Sequence, residues 1–205
     1  MSIVEKTNRN IEYWRERKIN WADHYWNLGH KHREMLIEIL KACQFSKVCE
    51  IGCACGANLY KIKKVFPWVS ISGCDLSEDA IKTARRIDTK ADFRVGSATD
   101  IPFKDKSFDL VITDACLIYI DCKNISRVIS EIRRIGSGGK VLFVEFHSEN
   151  WLKRMGLLFS RYTAYNYIKI LNKHNFKNIK TVKITKDKWP SKIWSLYGYI
   201  ITADI

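Results

Sequence analysis

Val48-Cys49-Glu50-Ile51-Gly52-Cys53-Ala54-Cys55-Gly56-Ala57-Asn58-Leu59 opens as an apolar run, reaches an acid, turns on small residues and continues as a helix-forming stretch. This is the pattern of a strand, a tight turn and a helix. A helix N-terminus offers unpaired N–H groups, and Gly52 and Gly56 carry no Cβ to hold a ligand off the backbone. Glu50 argues against a simple phosphate cradle, because a carboxylate beside the turn repels a second anion and favours a cationic or hydroxyl-rich group.

The order E-x-G-x-A-x-G, with Asn58 two residues on, resembles motif I of class I S-adenosylmethionine-dependent methyltransferases, whose usual form is E/D-x-G-x-G-x-G. The resemblance implies a cofactor whose α-amino group and sulfonium suit the acid. Ala54 stands where the middle glycine is usual. A methyl there is harmless where φ is negative, although it narrows the approach of the methionine moiety.

Working outward, Val69–Gly73 alternates apolar and small residues, and Cys74-Asp75-Leu76-Ser77 ends a second strand on an acid. Ser77 is a good N-cap for the next helix, with Glu78 and Asp79 in its first turn. Asp75 lies at the tip of the strand parallel to that of Glu50, where a carboxylate can accept hydrogen bonds from both hydroxyls of a ribose. Its other reading is a strand-end acid that only caps the helix.

The segment G-S-A-T-D-I-P-F-K-D-K-S-F-D-L-V, residues 96–111, is similar to the G-D-A-x-x-L-P-F…S-F-D-L-V string of the same methyltransferases. Ser97 replaces the acid that often binds the adenine amino group there, so adenine recognition falls to Ser97, to the Ala98 backbone or to a displaced acid such as Asp100. Asp109 begins a fourth strand whose apolar run fits a doubly covered parallel sheet. By the resemblance, the stretch 113–119 faces both cofactor and acceptor, with Asp114 and Tyr119 as its candidates. The cofactor set it implies is Glu50, Gly52, Cys53, Ala54, Gly56, Asn58, Asp75, Leu76, Ser97, Ala98 and Asp114.

Residues 123–135 read as a helix, Gly136–Gly139 as a helix stop and turn, and Val141–Phe146 as strand five. His147, at a polar strand end, is a candidate general base or substrate ligand, and equally a hydrogen-bonded structural residue. Residues 151–167 mix aromatics with Lys153, Arg154 and Arg161, where an acceptor carboxylate or phosphate would find arginine. A helix over 165–173, an alternating strand over 176–184 and a last strand over 196–205 follow.

Ahead of the motif, residues 8–30 carry Tyr13, Trp14, Trp21, Tyr25 and Trp26 among charges and read as helical. Their rings either pack in the core or form a lid over a pocket, and both hold together. From His32 to Ala42, Met35, Leu36, Ile39 and Leu40 recur at helical spacing and predict a helix packed on the sheet.

The 205 residues, 46% of them hydrophobic, suit one globular domain. Within it, 1–45 read as a helical lid, 46–146 as the cofactor-binding core and 147–205 as substrate-side helices with the last two strands. The expected fold is a Rossmann-like, doubly wound α/β sheet, mostly parallel and seven-stranded, with helices on both faces. By the resemblance its seventh strand is antiparallel and inserted by a hairpin. The polar N-terminus and the absence of a long apolar run predict a soluble cytoplasmic protein with no membrane contact. Seven cysteines without a C-x-x-C pair read as reduced thiols, and no metal site is expected.

Net charge is +13, and residues 121–195 hold 16 Lys and Arg against 5 Asp and Glu. That surface would attract an acidic substrate or nucleic acid, or it is merely solvated. The function expected is methyl transfer from S-adenosylmethionine, leaving S-adenosylhomocysteine, to a small acceptor, anionic ones included. The alternatives are a nucleic-acid or protein methyltransferase using the basic C-terminal third, and a non-catalytic or NAD-type nucleotide binder, because G-C-A-C-G-A loosely fits G-x-G-x-x-A.

Overall fold

The computed structural model describes residues 3–155, 157, 160, 162–185 and 192–205. Helices α1 (Ile3–Glu16), α2 (Trp21–Tyr25) and α3 (Lys31–Lys41) precede the sheet. Then come β1 (Lys47–Ile51), α4 (Ala57–Val65), β2 (Ser70–Asp75), α5 (Glu78–Ile87), β3 (Asp92–Val95) and β4 (Phe108–Asp114). A 3-10 turn (Leu117–Tyr119), α6 (Ile125–Ile135), β5 (Gly136–Phe146), α7 (Trp151–Met155) and α8 (Tyr167–Lys173) follow, and β6 (Lys177–Lys183), α9 (Lys192–Tyr197) and β7 (Gly198–Asp204) close the chain. Arg161 lies outside the described residues.

Among the described residues the strands form one seven-stranded sheet in the order β3-β2-β1-β4-β5-β7-β6. β1 to β5 pair in parallel, while β7 runs antiparallel between β5 and β6. Side chains alternate between two cores, as a doubly covered sheet requires. On β5, Leu142, Val144 and Phe146 join Leu36, Leu59, Ile62 and Ile81 on one face. Val141 and Phe143 join Ile125, Val128, Ile129, Ile132 and Tyr167 on the other.

Local chemistry sets the boundaries. Ser77 Oγ accepts the Ala80 N–H and starts α5, with Glu78 and Asp79 in the first turn. The expected stop and turn at Gly136–Gly139 is instead the start of β5, which follows α6 directly. Gly139 explains why: a Cβ there would come within 1.8 Å of the Asp109 carbonyl oxygen, so only glycine lets β5 lie against β4 at this point. The expected last strand is shorter than its apolar pattern, since Leu196 and Tyr197 belong to α9. No helix among the described residues is long and apolar enough to cross a membrane.

Candidate active site

β1 lies between β2 and β4, so the parallel register carries Glu50, Asp75 and Asp114 to one carboxyl edge. Their side chains line a cleft of about 470 Å³. Open α/β sheets bind ligands at that edge, where the strand order reverses.

The turn after β1 is held by its own backbone. The Gly52 and Cys53 N–H groups both donate to the Cys74 carbonyl, at 2.8 and 3.1 Å, and the Gly56 N–H donates to Cys53 at 2.8 Å. The Ala54 N–H donates to Asp75 Oδ2 at 2.9 Å. With these donors spent inside the protein, the turn is no anion cradle. Gly52 has φ +74°, and a Cβ there would meet Cys116 Sγ at 2.6 Å. Gly56 has φ +80° and sits 2.9 Å from the Phe93 ring by the same construction. Ala54, where a negative φ would make the methyl harmless, adopts φ +47° and so carries backbone strain.

Asn58, in the first turn of α4, ties the acids together. Its Nδ2 donates to Glu50 Oε1 at 2.6 Å and to Asp114 Oδ2 at 2.9 Å, and its Oδ1 accepts from Arg33 Nε at 2.6 Å. The Arg33 guanidinium also donates to the carbonyls of Asn27 and Tyr25, at 2.5 and 3.0 Å. On the other side His32 Nε2 lies 2.8 Å from Asp114 Oδ2, and His32 Nδ1 lies 2.5 Å from His30 Nδ1. His30, the N-cap of α3, also receives the His32 backbone N–H at 3.4 Å.

Burial pushes the Glu50 carboxyl up to about 8, against the pull of Asn58. Burial also raises Asp114, but His32, Arg33 and Asn58 outweigh it and hold that carboxyl below its usual range. Burial lifts Asp75 too, opposed by the N–H groups of Ser77 and Ala54. Glu50 Oε2 and Asp114 Oδ1 are buried without a hydrogen-bond partner among the described residues. Two unsatisfied carboxylate oxygens joined through one amide are costly unless a donor with positive charge fills the space between them. The α-ammonium group of S-adenosylmethionine fits that requirement, and Asp75 is placed for ribose hydroxyls.

The loop after β4 is fixed from beneath. Glu145, wholly buried on β5, accepts the N–H groups of Cys116, Leu117 and Ile118 at 3.0, 2.9 and 3.1 Å. Tyr119 lines the cleft, its ring 4.9 Å from that of Trp14. Trp14, Trp21 and Tyr25 line the same cleft, with Trp21 packed on Cys55 and Ala80, so these rings are core and cleft wall at once.

Of the residues the sequence singles out, Glu50, Gly52, Cys53, Ala54, Asn58, Asp75, Leu76, Ser97, Ala98, Asp114 and Tyr119 line the cleft. Gly56 stands behind it as the left-handed N-cap of α4. Asp100 is exposed and absent from the lining. His147 is not brought to the cleft: it is 3% exposed, and its Nδ1 accepts the Tyr167 N–H at 3.2 Å. His30, His32 and Arg33 were not expected there. Their signal was Arg33, a charge at the helical position shared with Leu36, Ile37 and Leu40.

Strand order, the antiparallel β7 between β5 and β6, reached through α9 rather than by the expected hairpin, and the acids on adjoining strand tips are the pattern of class I S-adenosylmethionine-dependent methyltransferase domains, and S-adenosylmethionine is the cofactor of that class. Residues 48–139 match the family model described as "Methyltransferase domain". Ajmaline N-methyltransferase of Rauvolfia serpentina is 26% identical over 48% of this chain and 35% of its own length. Demethylmenaquinone methyltransferase of Thermotoga maritima is 27% identical over 67% of each. The chain thus spans about a third of the plant relative's length. The fold is shared with geranyl diphosphate C-methyltransferase from Streptomyces coelicolor, solved with S-adenosylhomocysteine, at a TM-score of 0.67 and 17% identity, covering 84% of this chain and 78% of that one.

Proposed function

We propose that the protein moves the methyl group of S-adenosylmethionine to a small acceptor held in this cleft, by direct displacement and without a covalent enzyme intermediate. The observation that carries the reading is the pair of partnerless buried oxygens on Glu50 and Asp114 in the cleft that Asp75 also lines. Bound cofactor supplies an electrophilic methyl on sulfonium. The chain's part is to bind, align and exclude water, with Asp75 taking the ribose, Glu50 and Asp114 the ammonium, and the rings of Trp14, Trp21, Tyr25 and Tyr119 walling the space.

The cleft's charge bears on the acceptor. Arg33 is the one Lys or Arg among the described lining residues, and three of its five N–H donors go to Asn58, Asn27 and Tyr25. Arg154 donates instead to the carbonyls of Ser148 and Glu149. Against them stand Asp75, Asp114 and Asp121, with Glu50 kept protonated by burial below about pH 8, so a neutral or cationic acceptor suits the site better than an anion.

Calorimetry with S-adenosylmethionine, S-adenosylhomocysteine and NAD tests the reading. The first two should bind, and Asp75→Ala should weaken both by about 100-fold, the loss of a charge-assisted pair of hydrogen bonds. Tight NAD binding with no response to S-adenosylhomocysteine would overturn it.

A further inference from the structure

At the same carboxyl edge as the cleft, the chain holds an apolar helix out in water. α7 follows β5, which runs parallel to β4, and α9 leads into β7 where Gly198 pairs with Phe146, so both helices stand at that edge. Trp151, Leu152 and Met155 on α7 and Leu196 on α9 are between 47% and 61% exposed, and no residue of α7 is buried. We propose that this face docks on an anionic lipid bilayer, the four apolar side chains entering the boundary between headgroups and acyl chains while Lys153, Lys183 and Lys192 meet the headgroup phosphates and carboxylates.

Hydrogen bonds hold the face in place. Asn150 Oδ1 accepts the N–H groups of Leu152 and Lys153, at 2.9 and 3.3 Å, and starts α7. Arg154 donates to the carbonyls of Ser148 and Glu149 at 2.7 and 2.8 Å, which ties the helix to the chain leaving β5. The Tyr197 hydroxyl donates to the Lys153 carbonyl at 3.0 Å and joins α7 to α9, and Lys183 Nζ donates to the Leu196 carbonyl at 2.6 Å. The two helices and the end of β6 thus share one surface, although Trp151, Leu152 and Met155 join neither core. Apolar side chains exposed singly need no explanation; four on one pinned pair of helices mark a contact surface.

Charge selects the partner. α7 and α9 hold Lys153, Arg154 and Lys192 and no acid. Among the described residues no acid forms an ion pair with Lys153, Lys183 or Lys192. Burial and the neighbouring Lys153 hold Lys183 below the ordinary lysine range, and an anion beside the two would relieve that repulsion. Lysine interleaved with Trp, Leu and Met inside about one helical turn is the composition of a helix lying in a bilayer interface, its stem along the apolar surface and its ammonium among the headgroups. The core of a protein–protein interface is instead depleted in lysine. The sequence-based expectation of no membrane contact rests on the lack of a spanning segment, which a surface contact does not need.

Flotation of the full chain with vesicles tests the proposal. Binding to phosphatidylcholine vesicles holding about 30 mol% phosphatidylserine should exceed binding to phosphatidylcholine alone by about tenfold at low salt, and should fall as salt rises. A chain of net charge +13 adheres to anionic vesicles by any basic surface, so charge-neutral changes decide the matter. Trp151→Ala and Leu152→Ala should each weaken binding by about tenfold. Trp68→Ala, at an exposed tryptophan ahead of β2 on the opposite edge of the sheet, should leave it unchanged. Lys153→Gln should weaken binding to the anionic vesicles and not to the neutral ones.

These side chains are exposed, so thermal unfolding should give each variant a Tm within about 1 °C of wild type. Tryptophan fluorescence is a second readout: anionic vesicles should shift the emission to the blue, and Trp151→Phe should remove the shift. Failure to float with anionic vesicles would overturn the proposal, as would flotation that Trp151→Ala and Leu152→Ala leave unaffected. A dimer that Leu152→Ala dissociates, in a chain that binds no vesicles, would also overturn it and assign the face to a second copy. None of these outcomes bears on the cofactor reading, which S-adenosylhomocysteine affinity tests separately.

Discussion

The Asp75 carboxylate accepts the Ala54 N–H at 2.9 Å, and it does so across a turn in which Ala54 stands at φ +47°. A left-handed conformation costs an L-residue with a Cβ about 1 kcal/mol. Ala54→Gly should therefore raise stability by up to about 1 kcal/mol, less the entropy that glycine loses on folding, and shift Tm upward by about 2 °C. Thermal unfolding of the two proteins checks this; a lower Tm in the variant would show that the turn is not strained.

Gly52 meets two constraints, φ +74° and the thiol of Cys116. Gly52→Ala should cost about 3 kcal/mol, part from the backbone and part from the clash. Adding Cys116→Gly takes away both the Sγ and the Cβ that crowd the added methyl, at 2.6 and 2.7 Å, so the double variant should cost less than the two single changes summed in a denaturant titration. Strict additivity of the two single changes would refute the contact.

Glu50, with its carboxyl pushed up to about 8, makes stability depend on pH. Its folded value lies above the unfolded one, near 4.5. Its contribution is therefore complete below about pH 4.5 and is lost as pH rises through about 8. Glu145, also held near 8 by burial, acts in the same direction. The ligand-free protein should lose stability from about pH 5 to 8. Glu50→Gln should flatten part of that slope and raise Tm at pH 8 by about 3 °C, while weakening S-adenosylhomocysteine binding. A Tm independent of pH in the wild type would contradict the burial of these acids.

Glu145 supports the loop that carries Cys116, Leu117 and Ile118. Glu145→Ala strands three N–H groups and leaves a cavity, at a cost of about 3 kcal/mol. Hydrogen exchange should show these three amides losing protection before the β4 amides do. Unchanged protection there would mean that other groups hold the loop.

The sheet was legible because its signals are local: an apolar run ending at Glu50, another ending at Asp75, and a capping serine behind it. The cluster around Asn58 was only half legible, because α3 showed an apolar stripe that read as packing. Arg33 occupies that stripe and reaches Asn58 from a helix 25 residues away in sequence. His30 ends the stretch 8–30 that reads as helical and is instead the extended N-cap of α3, so it meets His32 through a bend that helical spacing does not describe. His147 misled for a related reason. A polar strand end marks the functional edge only where nothing covers it, and Tyr167 at the start of α8 covers it here.

The most direct test of the account is a crystal structure of the protein with S-adenosylhomocysteine. We expect its ammonium group between Glu50 Oε2 and Asp114 Oδ1, and its ribose hydroxyls on Asp75. Ligand bound elsewhere, with those two oxygens still without a partner, would contradict the assignment of this cleft.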